Sequence, residues 1–187
     1  MPRPYPRLIG NSRDARGNIR VDQLSVAASV GITAGVGTIY RNSVERSGDI
    51  IATRILVDIT GLGSSTTLLD IIGTDGVSHL GQITTAENGI IWGGTMVCLE
   101  APLTGVTDID LYVATVGTGA FDADVTALVE TVVVDSAAAW TLGRSLPLAA
   151  DAVAANSFLY LCNGAAGTVG TYTAGRLLIT LFGQAAI

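Results

Sequence analysis

The chain has 187 residues, 49% hydrophobic and only 14% charged, with a formal net charge of -6 and no lysine. That length can bury a core without metals or disulfides, and an apolar excess with few charges suits a chain that hides surface against copies of itself or a larger assembly. Charge is uneven: residues 1–60 carry eight arginines against five carboxylates, a net of +3, and residues 61–187 carry two against eleven, a net of -9. A folded part this negative repels phosphate, and aromatics at 5% give little to stack on bases, so no nucleic-acid partner is expected. No apolar run reaches the length of a membrane helix and no signal-peptide core opens the chain, so the expectation is no membrane contact and synthesis in a cytoplasm.

In chain order, residues 1–25 begin with Pro2, Pro4 and Pro6. Proline at alternate positions fixes φ and removes N–H donors, so "PRPYPR" reads as extended, polyproline-like chain. "NSRDARGNIR" has no hydrophobic period and continues the arm. Residues 26–187 read as a single β domain of short apolar runs with period two. "GTIYRNSVE" is a strand, "RSGD" a turn, and "IIATRILVDIT" the clearest strand, with Thr53, Ile55, Val57 and Ile59 on one face and Arg54, Leu56 and Asp58 on the other. "LLDIIG" and "VSHLGQIT" read as short strands and "AENG" as a turn. "IIWGGTMVCLEA" reads as a long strand bent near Gly93 and Gly94. "TDIDLYVAT" turns Ile109, Leu111 and Val113 inward and Asp108, Asp110 and Tyr112 outward. A short helical turn is expected at 122–129, capped by Asp122 or Asp124, within an otherwise extended region. "SFLYLCNG" and "RLLITLFG" close the chain as a hairpin with a long Gly-rich tip. The pattern predicts an all-β fold, a β-sandwich or jelly roll of about eight to ten antiparallel strands, with a barrel as its nearest competitor.

Catalytic signatures are poor, and an enzyme is not expected. His79 is the only histidine and has no Ser or Asp motif beside it. With Cys98 and Cys162, both in apolar stretches and read as reduced core thiols, it lacks the spacing of a zinc site. The Gly-rich runs "GITAGVG" and "GLGSS" lack the Lys-Ser/Thr ending of a phosphate loop, so no cofactor is expected. The pairs Asp108/Asp110 and Asp122/Asp124 are the metal candidates: carboxylates two apart on a strand share a face and can hold a hard cation such as Ca²⁺. Against that stands plain solvation of strand and turn positions. The basic arm fits an acidic protein partner, with Arg3, Arg7, Arg13, Arg16 and Arg20 for polar contacts and Tyr5 and Leu8 as apolar anchors.

The runs "GDIIATRILVDITGLGSSTTLLDIIGT", "HLGQITTAENGIIWGGTMVCLEAP", "GVTDIDLYVATVGTG" and "FLYLCNGAAGTVGTYTAGRLLITLFG" resemble small virion proteins of marine tailed bacteriophages, of the capsid decoration or cement class. The likeness covers residues 36–183, leaves out the arm, and transfers no functional residue. It implies a homotrimer on the outer surface of an icosahedral head, partnered by the major capsid protein and clamping neighbouring capsomers against the pressure of packaged DNA. Two other roles stay open. One is a head-fibre base or tail component. The other is a lectin-like β-sandwich in which Trp92 or Trp140 stacks on a sugar.

Overall fold

The computed structural model describes residues 26–149 and 153–185, and the backbone of Ser12–Arg13 and Ile19–Arg20. In chain order the elements are β1 (Ser12–Arg13), β2 (Ile19–Arg20), α1 (Val30–Thr33), β3 (Ile39–Ser47), β4 (Ile50–Asp58), β5 (Gly63–Ser64), β6 (Gly81–Ile83) and α2 (Thr85–Asn88). After these come β7 (Ile90–Leu103), β8 (Ile109–Ala114), a 3₁₀ turn at Val125–Leu128, β9 (Glu130–Val134), β10 (Ser145–Pro147), β11 (Ser157–Asn163), β12 (Gly170–Thr171) and β13 (Ala174–Gln184). The fold is an all-β sandwich. A five-stranded sheet runs β10-β7-β13-β4-β3 and a four-stranded sheet runs β6-β11-β8-β9, every pairing antiparallel. Both sheets are open, each ending in two edge strands, so the barrel alternative falls.

Period-two alternation builds the core between them. Ile51, Ile55 and Val57 of β4, Met96 and Cys98 of β7, and Leu177, Ile179 and Leu181 of β13 meet Ile109, Leu111 and Val113 of β8 and Leu159 and Leu161 of β11 in one buried cluster. Arg54, Leu56 and Asp58 take the opposite face of β4, as the alternation predicts. The β3–β4 hairpin turns through Gly48 and Asp49, with Gly48 at φ 62°. Both cysteines are buried free thiols.

Four expectations need correction. The predicted hairpin of "SFLYLCNG" with "RLLITLFG" does not form: β11 lies between β6 and β8, and β13 lies between β4 and β7 in the other sheet. The Gly-rich link carries the chain across the sandwich, anchored by β12 pairing with β5 and by Tyr172, whose hydroxyl donates to the Val106 carbonyl at 2.6 Å. "LLDIIG" forms no continuous strand and makes isolated bridges, Asp70 to Asp124, Ile71 to Cys162 of β11 and Gly73 to Gly63 of β5. "AENG" is one helical turn, with the Thr84 side chain accepting from the Glu87 N–H at 3.3 Å. In the arm, Ser12 pairs with Arg20 and Arg13 with Ile19, a two-residue ladder that the lack of hydrophobic period did not announce.

The long strand β7 is irregular near the predicted bend. Phe182 pairs with Gly93 and Gly183 with Ile91, so Trp92 is the extra residue of a bulge. Gly94 is required by close approach: a Cβ there would lie 2.2 Å from the Thr180 carbonyl oxygen.

Candidate interaction face

Each sheet has a second face, and the two are treated differently. On the four-stranded sheet Ala114, Tyr160 and Cys162 point away from the sandwich core and are covered by Ile71, Val125 and Leu128. The Tyr160 hydroxyl ties this cover down, donating to the Val116 carbonyl at 2.9 Å and accepting from the Gly119 N–H at 3.2 Å. Burial raises its pKa, outweighing the hydrogen bond from the Gly119 N–H, which lowers it. The central strands β8 and β11 are thereby mostly buried on both sides by their own chain.

The five-stranded sheet has no such cover among the described residues. Its outward positions are read from the register. Val97, Leu178 and Leu56 form one row across β7, β13 and β4; Thr95, Thr180 and Arg54 form the next; Phe182 and Ala52 with Trp92 form a third; Ile90, Gln184 and Ile50 close it. Trp92 is 54% exposed and Ile90 62%, while the Trp92 ring stacks on Phe182 with centroids 5.6 Å apart. Next to Leu178, a depression of about 160 Å³ is lined by Arg41, Ser43, Arg54 and Leu56.

Charges on this face sit toward its β3 side and at one end of the strands, and all but Arg41 are paired among the described residues. Arg54 meets Glu45 at 2.6 Å on the β3 side. Arg176 meets Asp58 at 2.7 Å and Glu100 at 3.6 Å at one end of the strands. Burial alone would raise the Asp58 pKa, but hydrogen bonds from Thr60 and Arg176 outweigh it and hold the carboxyl below its ordinary value. Asp58 therefore contributes stability above its unfolded pKa, and loses it as pH falls through the folded value.

From strand spacing and rise, five strands that average about nine residues, from three in β10 to fourteen in β7, cover on the order of 700 Å². One side of a standard protein interface is about 800 Å². The face has the dimensions of one side of an interface.

The candidate metal ligands lie elsewhere. Asp108 precedes β8 and Asp110 lies within it; their carboxylates converge on Gly164, where a Cβ would lie 2.7 Å from an oxygen of each. Asp110 is buried, against the expectation of a solvent-facing position, because the Ser136 segment closes over it: the Ser136 N–H donates to Asp110 at 2.8 Å and its hydroxyl donates to Asp108. Asp122 and Asp124 are in a turn rather than on one strand face. Asp122 has φ 64°, and Asp124 caps the 3₁₀ turn by accepting from the Thr126 N–H at 2.8 Å, as the sequence suggests. Among the described residues no three His, Cys, Asp or Glu side chains gather as a metal site.

Burial foremost, with the Asp108 and Asp135 charges and against the Ser136 hydrogen bonds, raises the Asp110 pKa. A carboxyl raised in the folded state contributes stability below its unfolded pKa and loses it as pH rises through the folded one. Asp110→Asn keeps an acceptor for the Ser136 N–H and carries no charge. Its melting temperature is expected to gain on the parent's as pH rises from the acid side to neutral. A constant difference across that range would show that Asp110 has no raised pKa.

Of the arm residues, Arg3, Tyr5, Arg7, Leu8 and Arg16 lie outside the described residues, and Arg13 and Arg20 are described only as backbone in the β1–β2 ladder. Trp140 is buried, its Nε1–H donating to the Ile109 carbonyl at 2.7 Å, so it offers no ring to a sugar; Trp92 does remain accessible. The apolar face was not singled out from the sequence, although its signal is there: "RLLITLFG" is apolar at both alternations, the mark of a strand buried on two sides. No helix among the described residues is long and apolar enough to cross a membrane. Comparison of the sequence with family models and with curated proteins, and of the fold with solved structures, gives no match.

Proposed function

We propose that this is a structural virion protein, a capsid decoration or cement protein that assembles as a homotrimer on the outer surface of an icosahedral phage head. The observation that carries the reading is the apolar outer face of the five-stranded sheet, uncovered by the described chain and with all of its charges but Arg41 paired toward the β3 side and the strand ends. The resemblance of residues 36–183 to capsid decoration proteins supplies the setting. In this role the protein does no chemistry. Three copies pack their sheet faces about a shared axis, and the assembly adds contact area across neighbouring capsomers. Many copies, each with modest contacts, stabilise a shell by multivalency.

The arm of residues 1–25 docks on neighbouring subunits. Its arginines suit carboxylates on an acidic protein surface, where charge-assisted hydrogen bonds offset the entropy of ordering the segment. Light scattering of the purified full chain is expected to give three times the 19.1 kDa chain mass, and the protein is expected to co-sediment with purified heads stripped of accessory proteins. A hexameric mass would favour a tail-tube subunit. Protein left in the supernatant at saturating concentration would contradict the decoration role.

A further inference from the structure

A second concave feature lies away from the sheet face. A cleft of about 620 Å³ is lined by Val26, Ala27, His79, Gln82, Glu87 and Phe158, with Thr84, Ala86 and Asn156 completing its wall. The His79 ring tilts against Phe158 with centroids 4.9 Å apart, making an aromatic wall, and buried Nδ1 of His79 has no hydrogen-bond partner among the described residues. Glu87 is the one charged lining residue. Burial lowers the His79 pKa, so the imidazole adds no positive charge at neutral pH.

We propose that this cleft receives the Pro2–Leu8 segment from the arm of a neighbouring copy. This rests on the reading of the protein as a self-assembling structural subunit. Four features of the molecule point the same way. First, an aromatic wall with polar groups at its rim is the surface on which proline-rich extended chain docks, since the polyproline conformation is already formed and loses little entropy. Second, the charges complement: residues 1–25 carry five arginines against Asp14 and Asp22, and the cleft presents Glu87. Third, Tyr5 and the arginines bring donors to a cleft whose wall includes the polar side chains of Gln82, Thr84 and Asn156.

Fourth, the arm leaves the body at Val26, on the wall of the cleft itself. Each copy thus carries an arm and a receiving cleft side by side. Arm into cleft is a contact between two different surfaces, which closes into a ring when the rotation suits it. A threefold ring of such contacts matches the proposed trimer. The stretch between Leu8 and Val26, shortened by the β1–β2 ladder, still spans roughly 35 Å when extended, about the breadth of one subunit. That reach suits an adjoining copy.

The test uses the full chain with two introduced cysteines, Gly10→Cys beside the docking segment and Gln82→Cys in the cleft wall; Cys98 and Cys162 are fully buried. The control pairs Gly10→Cys with Val169→Cys, an exposed position outside the cleft. Under mild oxidation the cleft pair is expected to form disulfides between chains roughly tenfold faster than the control, the gain of a local effective concentration. Glu87→Lys is expected to cut that rate several-fold. Cross-links within single chains only, or a rate equal to the control, would overturn the proposal. The trimer mass and sedimentation with heads, measured on the same samples, tell this failure apart from failure of the decoration role.

Discussion

Leu178→Glu is expected to leave the subunit folded and to abolish its self-association. Leu178 lies mid-row on the outer sheet face between Val97 and Leu56, and is half-buried in the single chain. In the isolated subunit a glutamate there can reach water, so the change in stability is small, about 0.5 kcal/mol as for other surface substitutions. In an interface the same carboxylate is desolvated: Arg54 and Arg176 already hold Glu45 and Asp58, and only Arg41, exposed on the β3 side of the same depression, is left to offset part of the cost. A cost of about 3 kcal/mol weakens association on the order of 150-fold. Light scattering at micromolar concentration is the readout, with circular dichroism to confirm the fold. Val169→Glu, on an exposed loop position, is expected to change neither. A Leu178→Glu chain that keeps the parent's mass would exclude this face as the assembly surface.

Trp140→Ala is expected to have the largest effect on stability. The indole is 2% exposed, its Nε1–H donates to Ile109, and its backbone N–H donates to the Thr107 carbonyl at 2.9 Å. The Arg144 guanidinium lies 5.2 Å from its ring centroid and donates to the carbonyls of Ser136, Ala138 and Ala139, which ties residues 136–144 into a clip. Emptying so large a site costs about 3–5 kcal/mol. For a chain of this size that lowers the melting temperature by roughly 10 °C. The clip also sets the width of the sheet face. The Cys98 N–H donates to the Arg144 carbonyl at 2.9 Å and the Gly143 N–H donates to the Cys98 carbonyl at 2.8 Å, so the segment delivers β10 to the edge of β7. Faster tryptic cleavage after Arg144 is therefore expected alongside the lower melting temperature. Trp140→Phe keeps most of the volume and loses the hydrogen bond, costing about 1 kcal/mol. Equal melting curves for the parent and Trp140→Ala would show that the clip does not stabilise the sheet edge.

Strand positions were legible wherever one side of the strand faced the core and the other did not. In "IIATRILVDIT" the outward Arg54 and Asp58 declare the register, and β4 has that register. Pairing was less legible. β11 and β13 are both nearly continuous apolar runs, and a strand buried on two faces does not state its neighbour. That is why a hairpin was expected where the two strands lie in opposite sheets. The burial of Asp110 was hidden for a related reason. Alternation turned it away from Ile109 and Leu111, but the cover on that side comes from Ser136, 26 residues on, which no local pattern reveals. Apolar content and scarce charge implied a hidden surface, and the outer side of the five-stranded sheet, uncovered among the described residues, is the place proposed for it.

A cryo-EM map of the phage head carrying this chain tests the decoration role most directly. The expected density is a threefold cluster on the outer surface of the shell, its five-stranded sheets turned toward the shared axis with Trp92 and Leu178 in the seam, and each arm reaching an adjoining subunit. Density for the chain in the tail, or on the head with the outer sheet face left in solvent, would contradict it.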